Sequence, residues 1–268
     1  MRAPVGGKRM MCRGAERWSA SAEAMRWRVE QRYWMEDAGF YGIAIDGDGA
    51  LCTPQASNVG HLMFSGLPSA DRAARVTRRL LSDDFNSGWG LRTLASGTAR
   101  FNPMSYHNGS VWPHDNAICA AGLMRYGYVE HAQRVAEAVL DTAEHFGYRL
   151  PELFCGFSQQ DFGTPVPYPT SCSPQAWAAA APLLMVHTLL RFAPEMPASK
   201  LWCAPALPER YLPMRVGGLS LGKSRAAVDL WQSGWEITGL EATSIASSKV
   251  TRPALTWPNS AWSKVCMP

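Results

Sequence analysis

The sequence lacks the long apolar segments that insert into or cross membranes. Its most apolar window, residues 176–190, is interrupted by Pro182 and His187 and is too short to span a bilayer. The basic start, residues 1–18, is not followed by the uninterrupted apolar run of a secretory signal. We therefore expect no membrane partner and a cytoplasmic location.

A basic surface of the kind that binds nucleic acid is also missing. The net charge of +4 is concentrated at the start, because residues 1–34 hold eight Arg or Lys against three Glu and the remainder is close to neutral. No basic face with interleaved aromatic residues follows, so we expect no nucleic-acid partner.

Cysteines are few, odd in number and far apart. The seven of them contain no close pair of the metal-ligand type: Cys12, Cys52, Cys119, Cys155, Cys172, Cys203 and Cys266. Free thiols in a reducing compartment are the simplest interpretation. We predict no cofactor, and neither a phosphate-binding loop nor a dinucleotide site.

What the sequence does contain is helical periodicity. Apolar residues recur at helical spacing and predict six helices, over residues 15–34, 57–67, 68–81, 113–126, 129–146 and 174–192. Short joints alternate with three long loops, 37–56, 85–113 and 147–173. Antiparallel helix pairs would place all three long loops on one face of a helical layer. The fold class is therefore predicted to be all-α.

The polar loop over residues 102–116 concentrates aromatic, imidazole, carboxylate and amide groups. It ends in Pro113, His114 and Asp115, which are typical of a helix start. A loop of this kind on a rigid frame usually carries function. The alternative is that Trp112 and Tyr106 simply fill core space.

The predicted layer brings a set of polar and aromatic side chains to one rim. Tryptophans offer flat faces for sugar rings, and separated carboxylates can act as acid and base across a glycosidic bond. A metal site on His61, His107, His114 and Asp115 is a weaker alternative, because their spacing matches no zinc pattern. The rim set is Glu36, Asp37, Trp89, Arg92, His107, Trp112, Asp115, Glu152 and Gln175.

Four ordered motifs resemble the bacterial amylo-α-1,6-glucosidase, or glycogen debranching, family. They lie at residues 87–93, 102–116, 150–154 and 167–177, within a match over residues 25–230. The resemblance implies an inverting glycosidase acting on an oligosaccharide or α-glucan, built as an (α/α)6 toroid and related to trehalase-like and mannosylglycerate hydrolase-like enzymes.

The resemblance also implies roles for individual residues. Glu152, in Leu-Pro-Glu-Leu-Phe, is similar to the carboxylate that activates water as the general base. The alternative for Glu152 is a salt-bridge Glu at a helix edge or in a loop, and the alternative for Trp177 is a place in the core. Residues that would shape the sugar subsite are Glu36, Asp37, Trp89, Arg92, His107, Trp112, Asp115, Gln175 and Trp177.

The sequence departs from that family in one respect. Related enzymes carry a general-acid Asp on a Phe-Gly-Arg-Asp-Ser type stretch, which this sequence does not contain. Six helices are also half of a twelve-helix toroid. We therefore expect the C-terminal half of such an enzyme, with the missing N-terminal half as a potential partner. The alternatives are a non-catalytic carbohydrate-binding fragment and a helical module that docks a partner chain.

The predicted organisation has four parts. Residues 1–14 lack periodicity and are predicted to be disordered, and residues 15–195 form the partial toroid. Residues 196–230 mix prolines and glycines with short apolar runs, which indicates a small β-rich appendage. Residues 231–268 are predicted to be an irregular or divergent tail.

Overall fold

The structure is a computed structural model that describes residues 5–196 and 200–240, without side chains for 5–13 and 200. Six α-helices lie within these ranges: α1 (Val5–Arg32), α2 (Val59–Ser65), α3 (Ala70–Leu80), α4 (Pro113–Arg125), α5 (Val129–Asp141) and α6 (Ala176–Leu190). Short 3₁₀ turns cover Glu144–Phe146 and Glu209–Tyr211. The six predicted helices are confirmed. No helix in the described part of the chain is both long and apolar enough to cross a membrane.

Strands also occur outside the predicted β-rich appendage, so the all-α part of the prediction is corrected to a helical fold with small sheets. Two short antiparallel hairpins follow α1, pairing β1 (Trp34–Met35) with β2 (Phe40–Tyr41) and β3 (Ala44–Ile45) with β4 (Leu51–Cys52). After α6 come a third pair, β5 (Ala193–Glu195) with β6 (Lys200–Trp202), and the sheet β7 (Met214–Leu221), β8 (Ser224–Trp231) and β9 (Gly234–Thr238).

Helix α4 is the centre of the fold, because α2, α5 and α6 all pack against it. Its contact with α2 is close, since a Cβ on Gly60 would lie 2.2 Å from Cys119 Sγ and one on Gly122 would lie 2.7 Å from the Gly60 carbonyl oxygen. The two glycines therefore let the helix backbones approach. Leu123, Met185 and Phe85 are among the fully buried side chains of the main core.

A second, smaller core joins the end of α6 to the three-stranded sheet. Leu190 and Phe192 pack there against residues of β7 and β8, among them Val228 and Leu230. Strand β9 adds Trp235 and Ile237 to this cluster. The β-rich appendage therefore extends to Thr238, beyond the predicted boundary at residue 230, because β9 supplies the apolar residues that cover β8.

Two other predicted boundaries change. Helix α1 begins at Val5, so the described residues 5–14 are helical, contrary to the predicted disorder. Residues 1–4 and the predicted tail over 241–268 lie outside the described residues, as do the Cys12 side chain and Cys266. The five cysteines whose side chains are described are free thiols.

Exposed apolar side chains lie on two helices. Trp18 and Trp27 of α1 are 65% and 66% exposed, and Leu183 of α6 is 73% exposed. Helix α6 lies in the most apolar window of the sequence, yet its Ala179 and Leu183 face solvent. The reason is that α4 and the appendage cover only part of its surface.

Candidate active site

The site is built around the first turn of α4. Trp112 is the N-cap residue, Pro113 occupies the first helical turn and Asp115 is the acidic residue of that turn. Proline needs no hydrogen-bond partner for its nitrogen there, and a carboxylate is stabilised by the positive end of the helix dipole. The sequence therefore places Trp112, His114 and Asp115 at a defined helix end.

A layer of paired loops lies beside this helix end. Isolated antiparallel bridges join Arg92 to Val111, Val111 to Phe154 and Phe154 to Pro167. Val111 and Phe154 exchange backbone hydrogen bonds of 2.9 and 3.0 Å. The loops over 85–113 and 147–173 are thereby brought together, as predicted from the alternation of short and long joints.

Glu152 lies two residues before this bridge and is 6% exposed. Gln175 Nε2, at the start of α6, donates a hydrogen bond of 3.3 Å to Glu152 Oε1. Desolvation and, after it, the nearby Glu152 carboxylate raise the pKa of Tyr106, whose phenol lies beside this carboxyl. Glu152 is thus a buried carboxyl that accepts a hydrogen bond from Gln175 and has a phenol as its neighbour. Glu152 does lie in a loop, but its carboxyl forms no salt bridge with a described residue, so the alternative of a helix-edge or loop salt bridge does not hold.

A cleft of about 390 Å³ opens at the N-terminal end of α4. Its walls combine aromatic, imidazole, amide and carboxylate groups. The lining residues are Ile43, Ala56, Ser57, Asn58, His61, Thr93, Leu94, His107, Asn108, Trp112, His114, Asp115 and Trp177. Four predicted site residues, His107, Trp112, Asp115 and Trp177, are therefore brought together.

His61 and Asp115 form a pair inside the cleft. His61 Nε2 lies 2.7 Å from Asp115 Oδ1, and the side chains are 40% and 8% exposed. The bond to Asp115 raises the pKa of His61 despite an opposing effect of burial. Asp115 Oδ2 is buried and has no hydrogen-bond partner among the described residues. The pair gives this wall of the cleft an imidazole whose protonated form is stabilised by a buried carboxylate.

Aromatic rings fill the space between α4 and the start of α6. His107 stacks on Trp112 with ring centroids 5.9 Å apart, and His114 stacks on Trp177 at 4.2 Å. Trp112 and Trp177 meet edge to face at 5.8 Å. Trp177 is 45% exposed, so the alternative that it lies in the core is wrong. Such a surface suits the apolar face of a sugar ring.

Four predicted site residues lie elsewhere. Trp89 is 6% exposed and packs with Val111 and Phe154 beneath the loops. Arg92 is also buried, and its guanidinium donates hydrogen bonds to the carbonyl oxygens of Gly156, Asp83 and Asp84. Both residues support the loop layer instead of lining the cleft.

Glu36 and Asp37 are the other two. Glu36 accepts hydrogen bonds from Arg75 of α3 and, at 2.6 Å, from Trp34 Nε1. The bond from Arg75 holds the pKa of Glu36 below its usual value. Asp37 is exposed in the same turn. Neither residue lines the cleft, because the β1–β2 hairpin directs Glu36 toward Arg75 of α3 and leaves Asp37 in solvent.

Sequence reasoning did not place three residues in the sugar site: His61 and His114, which line the cleft, and Tyr106, which lies beside Glu152. The two histidines entered only the weaker metal alternative. Among the described residues, no group of three or more His, Cys, Asp or Glu side chains could hold a metal ion. His61 follows Gly60 on α2, the helix that packs closely against α4. Gly60 is the sequence feature that could have indicated this close approach, and with it the contact between His61 and Asp115.

One stretch matches a phosphate-binding loop in its sequence pattern but not in its structure. Residues 217–224 read Gly-Gly-Leu-Ser-Leu-Gly-Lys-Ser, which fits the glycine-rich pattern of such loops. In the structure β7 runs to Leu221 and β8 starts at Ser224, so the stretch is a strand and a hairpin turn with no helix after it. The backbone cradle for phosphate, which needs a helix start, does not form here.

Comparisons with known proteins identify a glycoside hydrolase domain family. The family model for the mannosylglycerate hydrolase MGH1-like glycoside hydrolase domain matches residues 9–155. The mannosylglycerate hydrolases MGH1 and MGH2 of Selaginella moellendorffii are each 31% identical over 103 residues, which is 38% of this chain and 21% of the relative. The chain therefore spans about a fifth of the length of these curated relatives.

Solved structures share the fold. A sialidase is similar with a TM-score of 0.69 and 14% identity, over 84% of this chain and 22% of the sialidase. The GH63 mannosylglycerate hydrolase of Thermus thermophilus, in complex with glucose, has a TM-score of 0.50 and 23% identity, over 60% of this chain and 38% of that enzyme. The family match covers more than half of the chain, and on that ground the chain belongs to the MGH1-like glycoside hydrolase domain family.

Proposed function

We propose that this chain carries the water-activating side of an inverting glycosidase site, with Glu152 as the general base. The observation that carries the proposal is the buried Glu152 carboxyl, which accepts a hydrogen bond from Gln175 beside an aromatic cleft. An inverting glycosidase needs one carboxylate to activate water and a second carboxyl to protonate the leaving group. In this proposal Glu152 is the first of these, and its burial and its hydrogen bond from Gln175 support that role.

The sugar would bind in the cleft at the start of α4. Trp177 supplies an exposed aromatic surface there, and Asn58, Asn108 and His107 supply polar groups for hydroxyls. Such a mixture of flat apolar and polar groups is typical of small-ligand sites. The substrate is a glycoside of glucose or mannose.

The proposed architecture is the C-terminal half of an (α/α)6 toroid. Support comes from six helices with loops converging at one end, and from the likeness to a GH63 enzyme of which the chain covers 38%. The remaining half of the toroid would be the partner of this chain. It would also supply the general acid, because the sequence has no Phe-Gly-Arg-Asp-Ser stretch.

Activated substrates test the proposal without the acid. Fluoride leaves a glycosyl fluoride without needing a proton from the enzyme, so a site with only the base should still hydrolyse it. We expect the full chain to release fluoride from an α-glycosyl fluoride and to give the β-anomer first, as followed by NMR. Glu152→Gln should lower the rate at least about a hundredfold.

The matched control is Glu130→Gln, which changes an exposed carboxylate on α5. Its rate should equal that of the unchanged chain. Equal rates of fluoride release for Glu152→Gln and Glu130→Gln would show that Glu152 takes no part in the reaction.

The same experiment separates the two sugar specificities. The debranching resemblance implies a preference for α-glucosyl fluoride, whereas the mannosylglycerate hydrolases that match the chain suggest α-mannosyl fluoride. The preferred fluoride identifies the sugar in the cleft.

A second candidate function is carbohydrate binding without catalysis. It is favoured by the absence of a general-acid stretch in this sequence. Saturable binding of an oligosaccharide with no turnover of either fluoride would support it and would contradict the hydrolase proposal.

A further inference from the structure

Trp177 and His114 form the closest ring stack in the cleft. Their centroids lie 4.2 Å apart and their planes differ by 5°. His114 lies in the first turn of α4, and Trp177 lies in the first turn of α6. The imidazole therefore covers one face of the indole and fixes its orientation across two helices.

Trp177 remains accessible, whereas Trp112 does not. Trp177 is 45% exposed and Trp112 is 5% exposed. Trp112 is enclosed by the stacked His107 ring, and its Nε1 donates a 2.9 Å hydrogen bond to Ser110 Oγ. The aromatic surface open to a ligand is consequently that of Trp177.

His114 is arranged as a neutral support. Its Nδ1 is buried with no hydrogen-bond partner among the described residues. Burial lowers the pKa of His114; the nearby His61 acts in the same direction, and the negative charges of Asp115 and Glu152 oppose it. A neutral imidazole leaves the electron density of the indole available, whereas an imidazolium would attract that density toward itself.

We propose that His114 is a positioning residue that holds Trp177 as the platform for the apolar face of a hexopyranose. This inference rests on the proposed function, because the platform would be one wall of the sugar subsite beside Glu152. Trp177 contacts the sugar, and His114 acts only through Trp177. Removing either ring should weaken sugar binding to a similar extent.

Sugar binding to the full chain tests the inference. Maltotriose and α-1,2-mannobiose are titrated in turn, with binding heat as the readout. For the sugar that binds, we expect Trp177→Ala and His114→Ala each to weaken affinity about tenfold, within the range of effects of stacking contacts. His114→Phe keeps a flat neutral ring and should restore affinity to within about threefold of the unchanged chain.

A pH series gives a readout that a purely structural role would not change. Affinity should fall at low pH as His114 becomes protonated, and this fall should be smaller in His114→Phe. His61 and the Asp115 and Glu152 carboxyls remain in both proteins, so the difference between the two curves reports His114. His131→Ala, which removes a histidine of α5 outside the cleft, should leave both affinity and its pH dependence unchanged.

Several results would overturn the inference. They are unchanged affinity in a folded His114→Ala protein, no recovery in a folded His114→Phe protein, or no binding of either sugar by the unchanged chain. The proposed function fails separately. If fluoride hydrolysis depends on Glu152 but sugar affinity does not depend on His114, the hydrolase proposal stands and the platform inference fails. If sugar affinity depends on His114 but neither fluoride is hydrolysed, the platform inference stands and the hydrolase proposal fails.

Discussion

His61 Nε2 lies 2.7 Å from Asp115 Oδ1 and so joins α2 to the first turn of α4 across the wall of the cleft. Because α2 is short, this bond is one of its few polar contacts with the central helix. The contact depends on the charge of His61, whose pKa is raised by Asp115.

The first prediction concerns the pH dependence of this bond. A folded pKa above the unfolded value, about 6.5, means that the stabilisation is fully present below pH 6.5 and is lost as pH rises through the folded pKa. We expect the free-energy difference between the unchanged chain and Asp115→Asn, measured by urea unfolding from pH 5 to 9, to shrink as pH rises. Because His114 is present in both proteins, its contribution to the free-energy difference largely cancels. A difference that grows with pH would contradict the assignment.

The second prediction concerns the close approach of α2 and α4. A Cβ at residue 60 would meet Cys119 Sγ at 2.2 Å, so Gly60→Ala must push the helices apart. We expect a loss of about 1 to 3 kcal/mol in the free energy of unfolding, the usual cost of overpacking. Gly47→Ala is the control, because a Cβ there meets no atom within 4 Å. Equal stability of the two variants would mean that α2 and α4 are not in close contact.

The third prediction tests whether Arg92 stabilises the loops or binds the sugar. Arg92 holds carbonyl oxygens of two loops, so Arg92→Lys should lower the free energy of unfolding by about 2 to 4 kcal/mol through lost charged hydrogen bonds. Sugar affinity of the remaining folded protein should change little. Arg100→Lys, at an exposed loop position, should have no effect on stability. A stable Arg92→Lys protein with weakened sugar binding would instead indicate that Arg92 contributes to the sugar subsite.

The fourth prediction concerns the exposed face of α6. Leu183 is 73% exposed, and an exposed apolar helix face favours association. We expect Leu183→Ser to lower self-association, measured by light scattering, with little change in the free energy of unfolding. Leu189→Ser, at a buried position of the same helix, should unfold the protein instead. Unchanged light scattering by Leu183→Ser would show that this face does not contribute to self-association.

Sequence patterns predicted the helices and the convergence of the loops, because both depend on local periodicity and on joint length. The positions of individual side chains were harder to predict. Trp89 and Trp112 have the same residue type and similar glycine- and polar-rich surroundings, yet one lies beneath the loops and the other lines the cleft. That difference is decided by the bridges among residues 92, 111 and 154, which join segments distant in sequence.

The histidines show the same limit. His61 and Asp115 are 54 residues apart, and their pairing depends on Gly60 and Gly122 letting two helices touch. Glu36 shows the reverse case, since the local turn between β1 and β2 directs a predicted rim carboxylate toward Arg75. Short-range turns and long-range packing are thus the two features that periodicity does not encode.

The most direct test of the account is rescue of Glu152→Ala by azide. If Glu152 is the base, its removal should stop fluoride release from the preferred α-glycosyl fluoride, and azide should replace the activated water. We predict restored fluoride release with the β-glycosyl azide as product, identified by NMR, and no azide product from Glu130→Ala. An α-glycosyl azide, or hydrolysis by Glu152→Ala as fast as that of the unchanged chain, would contradict the assignment of Glu152.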